Sequence, residues 1–184
     1  MHYLHKILVH IPKDLIDARW DREDLQRYAN IEASSETEIY EQIAYERRDD
    51  YTAGRWDDIY PEIAYLASDD LEWFLNELEE VLEFQKEHMD WYLKGITQML
   101  GTDLKEITEK LWNRSDKYRY ESDVDLKLCS YYLSLLGQLL HGDYFYESHF
   151  YNTKKRTARL DPSDIDLIKQ NPEQWALVMF DYYY

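Results

Sequence analysis

The longest regular pattern of apolar and polar positions in the chain predicts a helix over residues 69–100. Apolar residues recur there at spacings of three and four, which places them on one helix face: Leu71, Phe74, Leu75, Leu78, Val81, Leu82, Met89, Tyr92, Ile96 and Met99. Ser68 is suited to cap the amino end, and Gly101 to close the carboxyl end in a left-handed conformation. We expect this face to pack against the rest of the fold.

Two stretches near the chain ends have the pattern of interior strands. Tyr3–Ile11 is rich in branched residues and stops at Pro12, and Trp175–Tyr183 is almost entirely apolar. Both place apolar residues on the two sides of an extended chain, which is typical of a strand buried on both faces. We expect the two chain ends to meet in one sheet.

Shorter periodic segments predict further helices. Asp21 caps one that runs to about Ile31, and the capping box Ser35-x-x-Glu38 opens another that ends near Arg48. Three more are predicted over residues 102–112, 123–142 and 161–171, with a polar linker at 113–122. Leu104 lies on the predicted buried edge of the first of these. The helix over 123–142 has the strongest apolar pattern, so we expect it to be the most buried helix.

The pattern after Gly142 changes from helical spacing to alternation. Tyr144–Tyr151 and Arg156–Leu160 are predicted as two strands of a hairpin. The element order then predicts an α+β fold: a small, mainly antiparallel sheet built from the N-terminal strand and the C-terminal strands, packed with about five to six helices. We expect residues 1–184 to form a single domain.

Composition limits the classes of partner. The 184 residues include 38 acidic and 21 basic side chains, a net charge of −17. Such a protein should repel free DNA and anionic membranes and suit a basic partner. The single cysteine, Cys129, excludes an internal disulfide and a cysteine-built zinc site. No apolar run reaches the roughly 18 to 20 residues that span a bilayer, and no secretory leader is evident, so we expect a cytoplasmic protein.

The polar face of the long helix is the first candidate site. It carries five acidic residues that can contact a partner: Glu79, Glu80, Glu83, Glu87 and Asp90. Three of them are spaced i, i+4, i+8 and so lie about 6 Å apart, a spacing similar to that of successive phosphates in a nucleic acid. The alternative is an ordinary solvated helix face. Carboxylates on one helix supply too few converging ligands for a metal, so we expect neither a metal nor a cofactor.

The predicted hairpin is the second candidate site, because residues 143–160 carry four basic and two acidic residues, a net of +2. On an extended strand Glu147, His149 and Tyr151 share one face. The neighbouring cations are Lys154, Lys155, Arg156 and Arg159. Together with these cations, the three residues form a set that can cleave RNA without a metal, by transferring protons and stabilising a charged phosphate. The alternative is a charged edge hairpin that blocks strand pairing, with an ordinary surface histidine.

Four blocks of sequence carry a family resemblance: MHYLHKILVHIP at the start, TAGRW at Thr52–Trp56, YLASDD at Tyr65–Asp70, and TARLDPSDI with WALVMFDY near the end. Together they resemble a small acidic protein family of conjugative elements and plasmids of Gram-positive and gut bacteria, similar to anti-CRISPR proteins that inhibit the RNA-guided nuclease of type II systems. The resemblance implies a counter-defence role in a bacterial host. It transfers no catalytic residue.

Three hypotheses for function follow. In the first, the acidic helix face occupies a cationic nucleic-acid channel of a CRISPR effector nuclease or its guide-RNA complex. In the second, the hairpin acts as a ribonuclease on guide RNA held by that partner. In the third, the protein is a non-enzymatic accessory or regulator of a mobile element.

Overall fold

The computed structural model describes residues 2–44, 47–48, 53–112, 124–143 and 148–183. The strands are β1 His2–His10, β2 Arg47–Arg48, β3 Tyr65–Leu66, β4 Phe150–Asn152 and β5 Trp175–Tyr183. The helices are α1 Lys13–Asp17, α2 Arg22–Ala44, α3 Leu71–Leu100, α4 Leu104–Trp112, α5 Val124–His141 and α6 Pro162–Gln170. The predicted α+β fold is confirmed.

The two chain ends form the centre of the sheet, as the sequence predicts. β1 and β5 pair antiparallel over nine residues, from His2 opposite Tyr183 to His10 opposite Trp175. The strand order is β2-β5-β1-β4, and β3 also pairs with β5. Only β4 runs parallel to its neighbour β1, so the sheet is mainly antiparallel.

Each face of the sheet is covered by apolar side chains. Leu8 and Leu177 belong to a core that includes Phe74 and Leu78 of α3. On the opposite face Val178 belongs to a second core, together with residues of α2. Full burial of an aliphatic side chain contributes about 1.5–3 kcal/mol, so burial in these two layers stabilises the sheet.

The chain divides into two compact units. The first, Met1–Glu83 with Gly142–Tyr184, contains the sheet, α1, α2, α6 and the first part of α3. The second, Phe84–His141, contains the rest of α3 with α4 and α5. The expectation of a single domain over residues 1–184 stays a prediction.

The long helix is present as predicted, but its amino-terminal cap is different. The carboxylate of Asp70 accepts a hydrogen bond from the backbone N–H of Trp73 at 3.0 Å, so Asp70 takes the capping place predicted for Ser68. Ser68 lies instead in the turn that follows β3, a strand that the sequence pattern missed. Gly101 ends the helix with a φ of 83°, and its N–H bonds to the carbonyl of Thr97 at 2.8 Å, as predicted.

The two helices predicted over residues 21–48 are one helix, α2. Asp21 caps it as predicted, accepting the N–H of Asp24 at 2.9 Å. The proposed second start near Ser35 is wrong, because no residue there interrupts the helical backbone. The hydroxyls of Ser34 and Thr37 each donate to a carbonyl four residues earlier, at 2.7 Å, so these polar side chains are accommodated inside the helix.

The apolar helix α5 is not the most buried helix. Four of its large side chains are 41–48% exposed: Leu128, Tyr131, Leu133 and Leu140. Within the second unit α5 is apolar around much of its circumference, but only part of that surface is covered. The prediction that Leu104 of α4 is buried is also wrong, since its side chain is 77% exposed. The linker predicted at 113–122 lies outside the described residues.

The described part of the predicted hairpin consists mainly of a turn at residues 153–156, and residues 144–147 of its first strand lie outside the described residues. Among the described residues only Phe150–Asn152 forms a strand here, and a single bridge joins Asn152 to Thr157. His149 and Arg156 have φ values of 53° and 52°, which an extended strand does not allow, so both strand predictions extend too far. The prediction for the next element is confirmed: α6 begins with Pro162, and the N–H of Asp161 donates to the carboxylate of Asp164 at 3.2 Å.

Candidate functional site

Three of the five acidic candidates on α3 form an exposed row without a cationic partner among the described residues. We call Glu79, Glu83 and Glu87 the acidic row; all three side chains are exposed. The other two candidates are engaged, since Glu80 pairs with Lys6 at 2.8 Å and Asp90 pairs with Lys94 at 2.5 Å. The candidate surface therefore narrows to three carboxylates at successive i+4 positions.

Glu80 belongs to a polar cluster that anchors α3 to the sheet. Lys6, whose side chain is 10% exposed, lies 2.7 Å from Glu77 and 2.8 Å from Glu80. The hydroxyl of Tyr60 donates to the carboxylate of Glu77 at 3.1 Å. Burial, and then the charge of Glu77, raise the pKa of Tyr60 far above its ordinary value, so the phenol stays protonated. Glu80 thus forms an ion pair that links α3 to the sheet, whereas the residues of the acidic row form no such pair among the described residues.

The acidic row costs the helix stability. Like charges at i and i+4 destabilise an isolated helix by about 0.2–0.5 kcal/mol per pair, and the row contains two such pairs. Among the described residues no side-chain ion pair joins the row, although Lys86, three residues beyond Glu83 on the same helix, offsets part of this repulsion. The row concentrates negative charge at the surface of α3.

The cations of the predicted hairpin are used in contacts within the first unit. We call Lys154, Lys155, Arg156 and Arg159 the basic turn. Lys155 lies 2.7 Å from the buried carboxylate of Asp164, and that hydrogen bond raises the pKa of the lysine. Arg156 bonds to Glu36 of α2 at 3.0 Å, and Arg159 lies 3.7 Å from Asp161.

The remaining cation of the turn, Lys154, lies 5.2 Å from the ring centre of Trp175, within the range of a cation–π contact. Each cation of the basic turn therefore has a partner in α2, α6, β5 or the turn that precedes α6. Such contacts hold the turn in place and reduce the positive charge that it offers to a phosphate.

Of the three residues proposed for proton transfer, the two that the structure describes, His149 and Tyr151, do not share an open face. Tyr151 is 1% exposed and packs in the core beneath α2, so a substrate cannot reach it. The ring of His149 lies 5.4 Å from that of His5 and 5.0 Å from that of Tyr3. Burial, and then the proximity of His149, lower the pKa of His5 well below its ordinary value. Glu147 lies outside the described residues.

β5 carries a buried carboxylate that the periodic pattern of the sequence did not indicate. Asp181 is fully buried, and its side chain accepts hydrogen bonds from Nδ1 of His2 at 2.9 Å and from the N–H of Arg55 at 3.2 Å. A Cβ on Gly54 would lie 2.5 Å from a carboxylate oxygen of Asp181, and Gly54 has a φ of 54°. Only glycine suits this position.

This contact explains the TAGRW block as a structural feature. The block ties the loop at residues 53–56 to the sheet through a carboxylate that lies in an otherwise apolar strand. The signal in the sequence was that single aspartate among the apolar residues of WALVMFDYY. A buried charge requires partners, and those partners could not be identified from periodicity alone.

Within the described ranges, no group of three or more histidine, cysteine, aspartate or glutamate residues is placed to hold a metal ion. A cavity of about 190 Å³ is lined by residues that include Ala53, Tyr60 and Ile63. It is smaller than the roughly 300–1,000 Å³ of a typical ligand pocket. In the part of the chain that the structure describes, no helix is long and apolar enough to cross a membrane.

Comparison of the chain with protein-family models, with curated proteins and with solved structures gives no match. Function is therefore inferred from the chemistry of the described residues and from the sequence resemblance given above.

Proposed function

We propose that the protein is a counter-defence binding protein, similar to anti-CRISPR proteins, whose acidic row occupies a cationic nucleic-acid channel of an RNA-guided nuclease. One observation carries the proposal: Glu79, Glu83 and Glu87 are exposed and make no ion pair within the described residues, although they repel one another along α3. A cationic groove removes that repulsion when it binds. The gain in binding free energy is then larger than it would be for carboxylates that are already paired with cations in the free protein.

The spacing of the row suits a groove built for a nucleic-acid strand. Carboxylates about 6 Å apart lie within one Debye length of each other, about 8 Å at physiological salt, so a cationic groove interacts with them jointly. The net charge of −17 adds long-range attraction that speeds association. The same charge disfavours the binding of free RNA by this protein. In the proposed complex the protein therefore occupies the groove of the nuclease directly, without a bound RNA as a bridge.

The geometry favours binding over RNA cleavage by the hairpin. Tyr151 is buried, and the cations of the basic turn contact protein groups. Tyr151, as the general acid, and the basic turn, as the group that holds the phosphate, would both have to leave these contacts before RNA could react. We therefore place the working surface on α3.

Charge reversal of the row tests the proposal. The variant Glu79→Lys, Glu83→Lys, Glu87→Lys should lose inhibition of a guide-loaded type II nuclease, assayed by cleavage of target DNA. A matched control reverses three exposed carboxylates elsewhere: Asp17→Lys, Asp166→Lys and Glu173→Lys. Each triple variant changes the net charge by +6, from −17 to −11. Inhibition that survives in the row variant, or is lost equally in the control, contradicts the proposal.

The same incubation separates binding from cleavage. The protein is mixed with the guide-loaded nuclease, the complex is resolved on a native gel, and the RNA is then measured on a denaturing gel. We expect a new complex that contains guide RNA of unchanged length. A shortened guide would instead support the ribonuclease hypothesis, and wild-type protein that neither binds nor inhibits would exclude the proposed partner.

A further inference from the structure

Helix α5 carries two apolar stripes, only one of which is covered within its own unit. The covered stripe includes Leu135, which is 4% exposed, and Tyr132, whose ring lies against Gly95 of α3. A Cβ on Gly95 would lie 2.6 Å from that ring, so the glycine allows close packing of the two helices. This contact accounts for one face of α5.

The second stripe lies on a neighbouring face, with two exposed leucines at its ends and two half-buried residues between them. Leu133, Leu136, Gly137 and Leu140 are spaced i, i+3, i+4 and i+7, the spacing of residues along one side of a helix. Leu133 is 44% and Leu140 is 48% exposed. A Cβ on Gly137 would meet no atom of the described residues within 4 Å, so these residues leave open space beside the glycine. A surface helix requires only one apolar stripe, and this is a second one.

We propose that this stripe is the interface of a symmetric homodimer, in which α5 of one copy packs antiparallel against α5 of a second copy. A two-fold axis between Leu136 and Gly137 makes the stripe complementary to itself. Leu133 then faces Leu140 of the second copy, and Leu136 fills the space beside Gly137 of the second copy. An interface of this kind uses the same patch on both subunits.

Charge distinguishes a second copy from other occupants. Two copies that each carry −17 repel one another, so contact between them is least unfavourable where charged side chains are absent. Residues 128–141, LCSYYLSLLGQLLH, contain no aspartate, glutamate, lysine or arginine. A cationic partner gains nothing from this neutral stretch, whereas an identical acidic copy can approach along it.

The dimer and the complex with a nuclease have opposite salt dependences. Salt screens the repulsion between two acidic copies, so dimerisation should strengthen as salt is raised. Binding of the acidic row to a cationic channel should weaken over the same range. Failure of one proposal can therefore be told apart from failure of the other.

Sedimentation velocity on the full chain tests the dimer. From about 1 μM to about 1 mM, a range that covers weak association through a small interface, the mean mass should rise from 22.5 kDa toward twice that value, and more fully at high salt. A mass of 22.5 kDa at every concentration and salt condition overturns the proposal.

Two single variants test the antiparallel register. Leu133→Lys and Leu140→Glu should each remain monomeric alone, because each places a charge against a leucine of the second copy. Mixed in equal amounts they should form a heterodimer, since the lysine introduced at position 133 then faces the glutamate introduced at position 140. A mixture that stays monomeric overturns the register. Leu167→Lys on α6, at a site that is 41% exposed, should dimerise like the wild type.

Gly137→Gln separates dimerisation from folding. Glutamine favours a helix more than glycine does, and there is open space for its side chain in the monomer, so the melting temperature should not fall. The same side chain would collide with Leu136 of the second copy, so the mass should stay at that of the monomer. A variant that dimerises as well as the wild type contradicts the proposed contact.

Discussion

Reversing the central charge of the acidic row, Glu83→Lys, should make the protein more stable. In the wild type Glu83 is repelled by Glu79 and by Glu87, each four residues away on α3. The substitution replaces both repulsions with attractions, and the Glu79 pair has the better orientation because its glutamate lies on the N-terminal side. At about 0.2–0.5 kcal/mol for each of the two repulsions removed and the two attractions gained, the net gain is about 0.8–2 kcal/mol.

Urea unfolding measures this gain directly. The midpoint should rise without a change in slope, since the exposed side chain adds little to the surface exposed on unfolding. Raising salt should reduce the difference between variant and wild type, because the effect is electrostatic. A Glu83→Gln variant should lie between the two, as it removes repulsion but adds no attraction. Equal stability of all three at low salt would refute the view that the row costs the helix stability.

The remaining predictions concern the fold. Gly137→Ala should stabilise the monomer by up to about 1 kcal/mol, because alanine favours a helix more than glycine does. Gly95→Ala should introduce a steric clash with Tyr132, so thermal unfolding should show it to be at least about 1 kcal/mol less stable than Gly137→Ala. Gly54→Ala should destabilise by about 2–4 kcal/mol in urea, through its left-handed φ and the collision with Asp181. In the unfolded chain His5 binds a proton below about pH 6.5. Burial keeps His5 neutral in the folded protein, so the unfolding free energy should fall by up to about 1.4 kcal/mol per pH unit below that value, and His5→Phe should flatten this slope.

The periodic patterns predicted the central elements because those elements follow local rules. β1 and β5 were recognised from apolar residues on both faces, and the end of α3 from Gly101, whose backbone conformation is the one expected. The short strands β2 and β3 were not predicted, because each has only two residues and is extended by its pairing with β5. Two residues carry no periodicity.

The errors at the candidate site have a different origin. The sequence correctly located the acidic and basic residues, but it could not show which charges have partners. Lys155 finds Asp164, and Arg156 finds Glu36, which is 120 residues away in the chain. Asp181 likewise depends on His2 at the opposite end of the sequence. Pairings across such separations are set by the tertiary fold, and they decide which charges remain available to a partner.

The most direct test of the acidic row is the salt dependence of binding to a guide-loaded type II nuclease. The dissociation constant of the wild type should rise steeply with salt between about 0.05 and 0.5 M, because the contact is electrostatic. Glu83→Lys should bind more weakly at low salt and show a smaller slope, although the variant is the more stable protein. An affinity that is independent of salt and identical for the two proteins would contradict a binding role for the row.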